Sequence, residues 1–147
     1  MNKNLRLEIF KKASLCRNFE EQVIINVNSK NITTPVYVSA GQEFIASTLS
    51  SIIKKNKIKP LIFGQHRCHS TYLAFGGNII KLIDELLGRK TGCTKGKGGS
   101  ASINSKDINM FGHDGLMGSN GPIGVGACFA TKKPTIVFLG DAAAEED

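Results

Sequence analysis

The chain contains 147 residues, and its hydrophobic share of 41% is typical of a single globular domain. The net charge of +7 comes from dispersed cations without interleaved aromatic side chains, which argues against a nucleic-acid partner. The four cysteines include no Cys-x-x-Cys pair, which excludes a zinc-ribbon pattern. No apolar run approaches the ~20 residues of a membrane helix, and the first residues lack the apolar stretch of a secretory signal. We therefore expect a cytoplasmic protein with no membrane partner.

Two amphipathic helices are predicted in the first half of the chain. Residues 5–27 carry apolar side chains at steps of three and four, which predicts a helix that buries Ile9, Ala13, Cys16, Phe19, Val23 and Val27. A second helix is predicted to begin near residues 41–43 and to end at the cations of residues 54–57. Its expected buried side chains are Phe44, Ile45, Leu49, Ile52 and Ile53.

Strands and helices alternate in the rest of the chain. Residues 60–64 and 134–139 are apolar runs of strand length, typical of buried parallel strands. Asn78 is a candidate N-cap for a helix between them, and Gly88 is its candidate end. This alternation predicts an α/β fold with a mostly parallel sheet and flanking helices.

Most of the glycines lie in residues 88–126, which we predict to be a long ordered loop leading into a helix over residues 122–131. Ligands of parallel sheets bind beyond the carboxyl ends of the strands. Residues 65–70 and residues 140–141 follow the two predicted strands directly. These two segments are therefore the candidate sites.

Three segments carry residue types suited to chemistry. Asp141, between a strand and a helix, suits a magnesium ion that bridges phosphate oxygens, or equally a helix cap. His66, Arg67 and His69 suit anion binding or proton transfer, with a solvent-exposed polar loop as the alternative. Residues 92–100, Gly-Cys-Thr-Lys-Gly-Lys-Gly-Gly-Ser, look like a phosphate loop but follow a helix and lack its motif, which leaves a mobile basic loop or a backbone nest.

The order and spacing of these motifs resemble a known family. The motifs are Thr-Pro at 34–35, Ser-Ala-Gly-Gln-Glu at 39–43, His-Arg-Cys-His at 66–69, Leu-Gly-Arg-Lys-Thr-Gly-Cys-Thr-Lys-Gly-Lys-Gly-Gly-Ser at 87–100, Gly-Leu-Met-Gly at 115–118 and Gly-Asp at 140–141. Together they resemble the alpha subunit of the thiamin-diphosphate-dependent first component of 2-oxo acid dehydrogenases. The resemblance implies a thiamin-diphosphate-binding fold that is incomplete at its C-terminus, with thiamin diphosphate and Mg²⁺ as cofactors.

The resemblance also implies roles for individual positions. His66 and Arg67 match residues that contact the cofactor diphosphate, and His69 matches a histidine near the active centre, the candidate catalytic residue. Asp141 matches the first magnesium ligand. The remaining cofactor contacts implied are the aminopyrimidine-gripping loop and the small residues against the diphosphate, namely Gly115, Leu116, Met117, Ala142 and Ala143.

The chain departs from the family pattern at three places. Ala142 replaces the second glycine of a Gly-Asp-Gly motif, and His66 replaces the usual tyrosine. Residues 101–102 are Ala-Ser where the family usually has Met-His. We also expect residues 1–147 to be the N-terminal part of the domain, ending within the magnesium motif, and to be inactive alone.

Partners follow from the resemblance as well. It implies a beta subunit in an α₂β₂ assembly, a lipoyl-bearing acyltransferase and a small 2-oxo acid substrate. Two alternatives remain open: half of a transketolase-like or sugar-pathway carboligase, and a non-catalytic remnant that serves as an interaction module. We further expect the long loop over residues 88–126 to gain its order from cofactor contacts.

Overall fold

The computed structural model describes residues 3–146, with the side chain of the last of these left aside. Within that range the elements are α1 (Lys3–Asn28), α2 (Glu43–Lys55), β1 (Leu61–Phe63), α3 (His69–Ala74), α4 (Ile79–Leu86), β2 (Met110–Phe111), α5 (Asn120–Thr131), β3 (Thr135–Val137) and α6 (Asp141–Glu146), with a short 3-10 turn at Lys106–Ile108. None of the helices in the described range is long and apolar enough to cross a membrane.

The three strands form a parallel sheet with β1 in the centre. Its order is β2-β1-β3, and Ile62 pairs with Met110 on one side and with Ile136 on the other. β1 is buried along its whole length, as expected for an apolar strand covered on both faces. The predicted α/β class with a parallel sheet is confirmed. Because the strands are parallel, the segments that follow them all leave from one edge.

α1 confirms the first predicted helix almost to the residue. Its steps of three and four bury the expected stripe from Ile9 to Val23. Val27 is an exception, with 37% of its surface exposed. It lies in the last turn of α1.

α2 forms where predicted but buries the opposite kind of side chain. Phe44, Ile45 and Ile52 are exposed, and the buried face consists mainly of small residues, Ala46, Ser47, Ser50 and Ser51. Small side chains let α2 approach α1 closely, and the Lys12 ammonium donates to the Ser50 hydroxyl at 3.0 Å. Ile53 is buried as predicted and Leu49 is half-buried, but the prediction that Phe44, Ile45 and Ile52 are buried is wrong, because sequence periodicity follows the large apolar residues.

Glu43 fixes the start of α2 against α1. Its carboxylate accepts from Nε of Arg17 at 2.6 Å and from Nη2 at 3.2 Å, and from the backbone N–H of Gly41. A two-nitrogen Arg–carboxylate contact is geometrically specific as well as attractive. It sets where the chain turns before α2.

Two short elements were not predicted. Residues 69–74 form helix α3, of which only the first two residues belong to the polar segment 65–70, and Met110–Phe111 form β2 inside the predicted loop. A six-residue helix and a two-residue strand are too short to show a hydrophobic period. Asn78 caps α4 as predicted, by accepting from the N–H groups of Ile80 and Lys81 at 2.9 and 3.1 Å. β3 is shorter than the predicted strand of residues 134–139 and is half-buried rather than buried, because it lies at the edge of the sheet.

A buried polar network joins α1, α3 and Ser100, at the end of the glycine-rich segment 92–100. The Glu20 carboxylate, fully buried, accepts from the backbone N–H and hydroxyl of Ser39 and from Nδ1 of His69 at 3.0 Å. Nε2 of His69 lies 2.8 Å from the Ser100 hydroxyl, whose oxygen accepts from the N–H of Tyr37. With the ring proton of His69 on Nδ1, the imidazole donates to Glu20 and Ser100 donates to Nε2, so each of these partners is satisfied. The network is therefore complete without solvent.

α5 packs closely on the sheet because of one glycine. A Cβ on Gly124 would overlap a methyl of Val137 in β3 and lie 3.6 Å from the Phe63 ring in β1. A Cβ on Gly126, on the same helix, would meet nothing within 4 Å. The two glycines thus differ in the space around them.

We expect Gly124→Ala and Gly126→Ala to change stability in opposite directions. Alanine at an open helical position gains about 1 kcal/mol in propensity. Overpacking a tight contact costs about 1–3 kcal/mol, which outweighs that gain at Gly124. Urea unfolding of both variants against wild type measures the difference. Equal stabilisation by both substitutions would contradict the close packing of α5 on the sheet.

Glu20→Gln is expected to lower the free energy of unfolding by about 1–3 kcal/mol at neutral pH, because buried donors lose an ionised acceptor. Burial raises the pKa of Glu20, but the hydrogen bonds from His69 and Ser39 outweigh it, and the net pKa is lowered. A depressed folded-state pKa contributes stability above the ordinary glutamate range that is lost as pH falls. The gap between wild type and variant should therefore shrink in acid.

Glu21→Gln is the matched control, since Glu21 is the exposed neighbour of Glu20 on α1. Its unfolding curves should overlay those of wild type at each pH. A Glu20→Gln protein as stable as wild type at pH 7 would show that the network contributes nothing.

Candidate functional site

The polar segments after the three strands meet at one edge of the sheet. His66 and Arg67 follow β1, His113 follows β2, and Asp141 follows β3. The buried Asn120 side chain ties two of these segments together, because its amide donates to the carbonyl of Gly64 at 2.6 Å and lies 3.5 Å from that of Gly112. Strand direction and this amide therefore assemble the candidate site.

Arg67 and Asp141 line the same cavity. This cavity, of about 450 Å³, opens between α2, the end of β1 and the end of β3, and Gln42 and Gln65 also line it. One guanidinium N–H of Arg67 donates to the carbonyl of Val38 at 3.0 Å, which fixes the side chain while leaving it exposed. The cavity thus carries one cation and one carboxylate at the carboxyl edge of the sheet.

Asp141 is the first residue of α6 rather than a cap remote from the other segments. The carbonyl of Gly140 accepts from the N–H of Ala144 at 3.1 Å, so helical bonding begins at Gly140. The Asp141 side chain is exposed at this end, Ala142 is exposed, and Ala143 is buried. Because Asp141 already lies within the first turn of α6, its side chain does not need to act as the helix cap.

His66 lies beside the cavity in a cluster of rings. Its ring is edge-on to Tyr37, with centroids 5.3 Å apart, and tilted toward His113 at 5.8 Å. Its Nδ1 is buried and has no hydrogen-bond partner in the described part of the chain. Burial, the charge of Arg67 and the neighbouring His113 lower the pKa of His66. The neutral imidazole is therefore favoured, and its buried Nδ1 is left without a partner.

His69 does not line the cavity. It is fully buried, and both ring nitrogens are occupied by Glu20 and Ser100. The order carboxylate–imidazole–hydroxyl is that of hydrolases with an activated serine. However, Ser100 is buried to 1% exposure and its oxygen accepts from the Tyr37 N–H, so the hydroxyl is not presented to a substrate. The catalytic role predicted for His69 stays a prediction.

The predicted aminopyrimidine loop forms a separate exposed turn. Gly115 has a φ of +110°, and Leu116 and Met117 are 70% and 44% exposed. The Asp114 carboxylate shapes the turn by accepting from the Leu116 N–H at 3.1 Å and from the Ser119 hydroxyl at 2.6 Å. These residues do not line the cavity of Arg67 and Asp141, and their contacts with a cofactor stay a prediction.

The magnesium prediction rests on Asp141 alone in this structure. Within residues 3–146 there is no group of three or more His, Cys, Asp or Glu side chains arranged to hold a metal ion. Magnesium is commonly held by one or two carboxylates together with substrate phosphates and water. Asp141 fits that requirement as one ligand of a phosphate-bound ion, and it does not form a metal site on its own.

Sequence reasoning missed His113, Glu20 and Ser100. His113 follows a strand too short to be predicted, so its place at the sheet edge was hidden. Glu20 sits one residue from the apolar stripe of α1, between Phe19 and Glu21, and an acidic residue there suggests a solvated face. Ser100 was noted only as the end of a glycine motif. No local signal marks these pairs, because Glu20 and His69 are 49 positions apart in the sequence and His69 and Ser100 are 31 positions apart.

Comparison with known proteins identifies relatives over almost the whole chain. The profile of the family described as Dehydrogenase E1 component matches residues 11–147. The chain is 34% identical to pyruvate dehydrogenase E1 component subunit alpha-1, mitochondrial, of Oryza sativa subsp. japonica, over 95% of this chain and 36% of the relative. It is 32% identical to the corresponding alpha subunit of Rickettsia prowazekii, over 95% of this chain and 44% of the relative. The chain thus spans less than half the length of these relatives.

The comparisons contradict the cytoplasmic location expected above. The relatives from Oryza sativa, Arabidopsis thaliana and Schizosaccharomyces pombe are mitochondrial proteins by name. The expectation rested on the lack of an apolar secretory stretch. That criterion does not separate the cytoplasm from organelles, because organelle transit peptides are amphipathic and Arg-rich rather than apolar.

The family assignment agrees with the motif order and with the parallel sheet. The profile includes the His-Arg segment after β1, the glycine-rich loop and the Gly-Asp after β3. The chain belongs to the dehydrogenase E1 component family.

Proposed function

We propose that this chain supplies part of the cofactor site of a thiamin-diphosphate-dependent 2-oxo acid dehydrogenase of the pyruvate dehydrogenase type. The observation that carries the proposal is the shared cavity of Arg67 and Asp141 at the carboxyl edge of a parallel sheet. Ligands of open α/β sheets bind at this edge. The alpha-subunit names of the relatives support the reaction class.

The residues of the cavity suit a magnesium-bound diphosphate. Arg67 offers guanidinium donors to phosphate oxygens, and Asp141 offers a carboxylate to the ion. The unpartnered Nδ1 of His66 adds a polar group beside them. Ala142 and Ala143 are small enough to let a phosphate approach the backbone. We propose that these residues hold the diphosphate and that Gly115, Leu116 and Met117 contact the aminopyrimidine.

Thiamin diphosphate, when bound, supplies the electron sink that decarboxylation of a 2-oxo acid requires. The task of this chain is to bind and orient it. Arg67 is pre-positioned by its bond to Val38, so little side-chain entropy is lost when it meets a phosphate. The buried network around His69 keeps the neighbouring loop fixed against α1 and α3. Substrate choice among 2-oxo acids, and acyl transfer to a lipoyl group of the acyltransferase, belong to the same proposal.

A beta subunit in an α₂β₂ assembly is proposed as the partner. α5 supports it, because Val125 and Phe129 are 71% and 75% exposed on that helix. Large apolar side chains on one exposed face are typical of a surface that another polypeptide covers. We also propose that residues 1–147 form one part of the thiamin-diphosphate-binding domain.

We expect Arg67→Gln to weaken the binding of thiamin diphosphate with Mg²⁺ by about tenfold to a hundredfold, the value of a charge-assisted hydrogen bond. Isothermal titration of thiamin diphosphate and of thiamin separates the diphosphate contribution, because thiamin binding should change little. Arg89→Gln is the matched control, since Arg89 is an exposed arginine paired with Asp84. Unchanged diphosphate affinity in Arg67→Gln would remove Arg67 from the site.

Asp141→Asn is expected to abolish the dependence of thiamin diphosphate affinity on Mg²⁺, because an amide is a much weaker ligand for a hard cation than a carboxylate. Titrations at several Mg²⁺ concentrations measure the dependence. Glu145→Gln, an exposed acid one turn later on α6, should retain it. If wild type binds thiamin diphosphate at no Mg²⁺ concentration, the interaction-module alternative gains support and the cofactor proposal fails for this chain.

A further inference from the structure

The glycine-rich loop, residues 92–100, is wrapped around a carboxylate of the same chain. The side chain of Glu85, in the last turn of α4, is buried to 1% exposure inside the loop. One carboxylate oxygen accepts from the N–H of Thr94 at 2.7 Å and of Gly96 at 2.9 Å. The other accepts from the N–H of Gly98 at 2.9 Å and of Gly99 at 3.0 Å. Four backbone donors thus converge on one carboxylate.

Together with two backbone bonds, these four bonds pair every N–H group from residue 94 to residue 99. The two N–H groups in between, of Lys95 and Lys97, donate to the carbonyls of Gly92 and Thr94 at 3.0 and 3.3 Å. Each N–H from residue 94 to residue 99 therefore has an acceptor. The N–H groups of Thr94, Gly96, Gly98 and Gly99 point toward Glu85, and the side chains of Lys95 and Lys97 are exposed.

Glycine is needed for this path. Gly96 and Gly99 have φ values of +73° and +56°, where side chains are unfavourable. A Cβ on Gly96 would overlap the carbonyl of Gly88, and one on Gly98 would overlap the carbonyl of Ser102. A concave run of inward N–H groups is the geometry that binds phosphates in other proteins.

We propose that Glu85 is the resident anion of this nest, and that it is a positioning residue which fixes the loop and so holds Ser100 against His69 and the Tyr37 N–H. The Glu85 carboxylate already accepts from all four N–H groups, so an external phosphate is not the ligand of this nest. Burial raises the pKa of Glu85, but hydrogen bonds from Gly96, Thr94 and Gly99 outweigh it and lower the pKa, which keeps the carboxylate charged. The loop is then ordered by the chain itself and needs no cofactor.

Glu85→Gln is the sharpest test of an anion, because it keeps the shape and removes the charge. The amide nitrogen of glutamine would face two backbone N–H groups, and donors cannot satisfy donors. Trypsin should then cut at Lys95 and Lys97 about tenfold faster or more than in wild type, while cutting at the exposed Lys30 stays unchanged. Asp84→Asn, which removes a charge one residue away, should cut like wild type.

A second variant, Glu85→Ala, tests whether an added carboxylate restores the order of the loop. Glu85→Ala empties the nest, and sodium formate, a carboxylate of the right size, should slow loop cleavage relative to sodium chloride at equal ionic strength. The imidazole ¹⁵N spectrum of His69 reports the positioning role. In Glu85→Gln, the Nε2 resonance should lose the signature of an accepted hydrogen bond from Ser100. Formate in Glu85→Ala should restore it.

Several outcomes would overturn the proposal: wild-type cleavage of Glu85→Gln, no difference between formate and chloride, or an unchanged His69 spectrum. Should the variants fail to fold, amide hydrogen exchange on wild type decides. The N–H groups of Thr94, Gly96, Gly98 and Gly99 should be protected about a hundredfold or more without cofactor, although they lie outside helices and strands. Exchange at unstructured rates would refute it. No readout uses thiamin diphosphate, so this proposal and the proposed function fail independently.

Discussion

The structure depends on the carboxylate of Glu20, buried where the N-terminal helix meets the rest of the chain. A buried charge is costly unless it is fully hydrogen-bonded. Glu20 meets that condition with partners from two other segments, Ser39 before α2 and His69 at the start of α3. Through Ser100 the same chain of bonds reaches the glycine-rich loop. One charge therefore links four segments by hydrogen bonds, in addition to the hydrophobic core that α1 and α3 share.

Other polar side-chain contacts hold the edge of the sheet, whose strands are short. β2 has two residues and β1 and β3 have three each, which is little backbone pairing. The loops that follow them are held instead by side chains, with Asn120 joining two loops and Arg67 bonded to Val38. A cavity that carries a guanidinium and a carboxylate results from these polar contacts more than from the sheet itself.

The sequence predicted the parts whose signal is local. The period of α1, the apolar run of β1, the Asn78 cap and the stop at Gly88 each depend on residues within a few positions. The buried face of α2 could not be predicted that way, because serines pack inward there and Phe44 faces outward. The sequence indicated that Arg67 and Asp141 each follow a parallel strand, and in the structure both line one cavity. The acceptor for the glycine loop was not foreseen, since Glu85 precedes the first N–H that it binds by nine residues.

The pairing of Glu85 with the loop makes the end of α4 and the loop a self-contained unit. The donors are backbone groups and the acceptor is one side chain, so the anion that the loop binds belongs to the same chain. Lysines can vary on its outer side without touching the inner bonds. Grafted into another scaffold after a suitable helix end, residues 85–100 would bring a preformed turn with them, whereas the glycine motif without its glutamate would not.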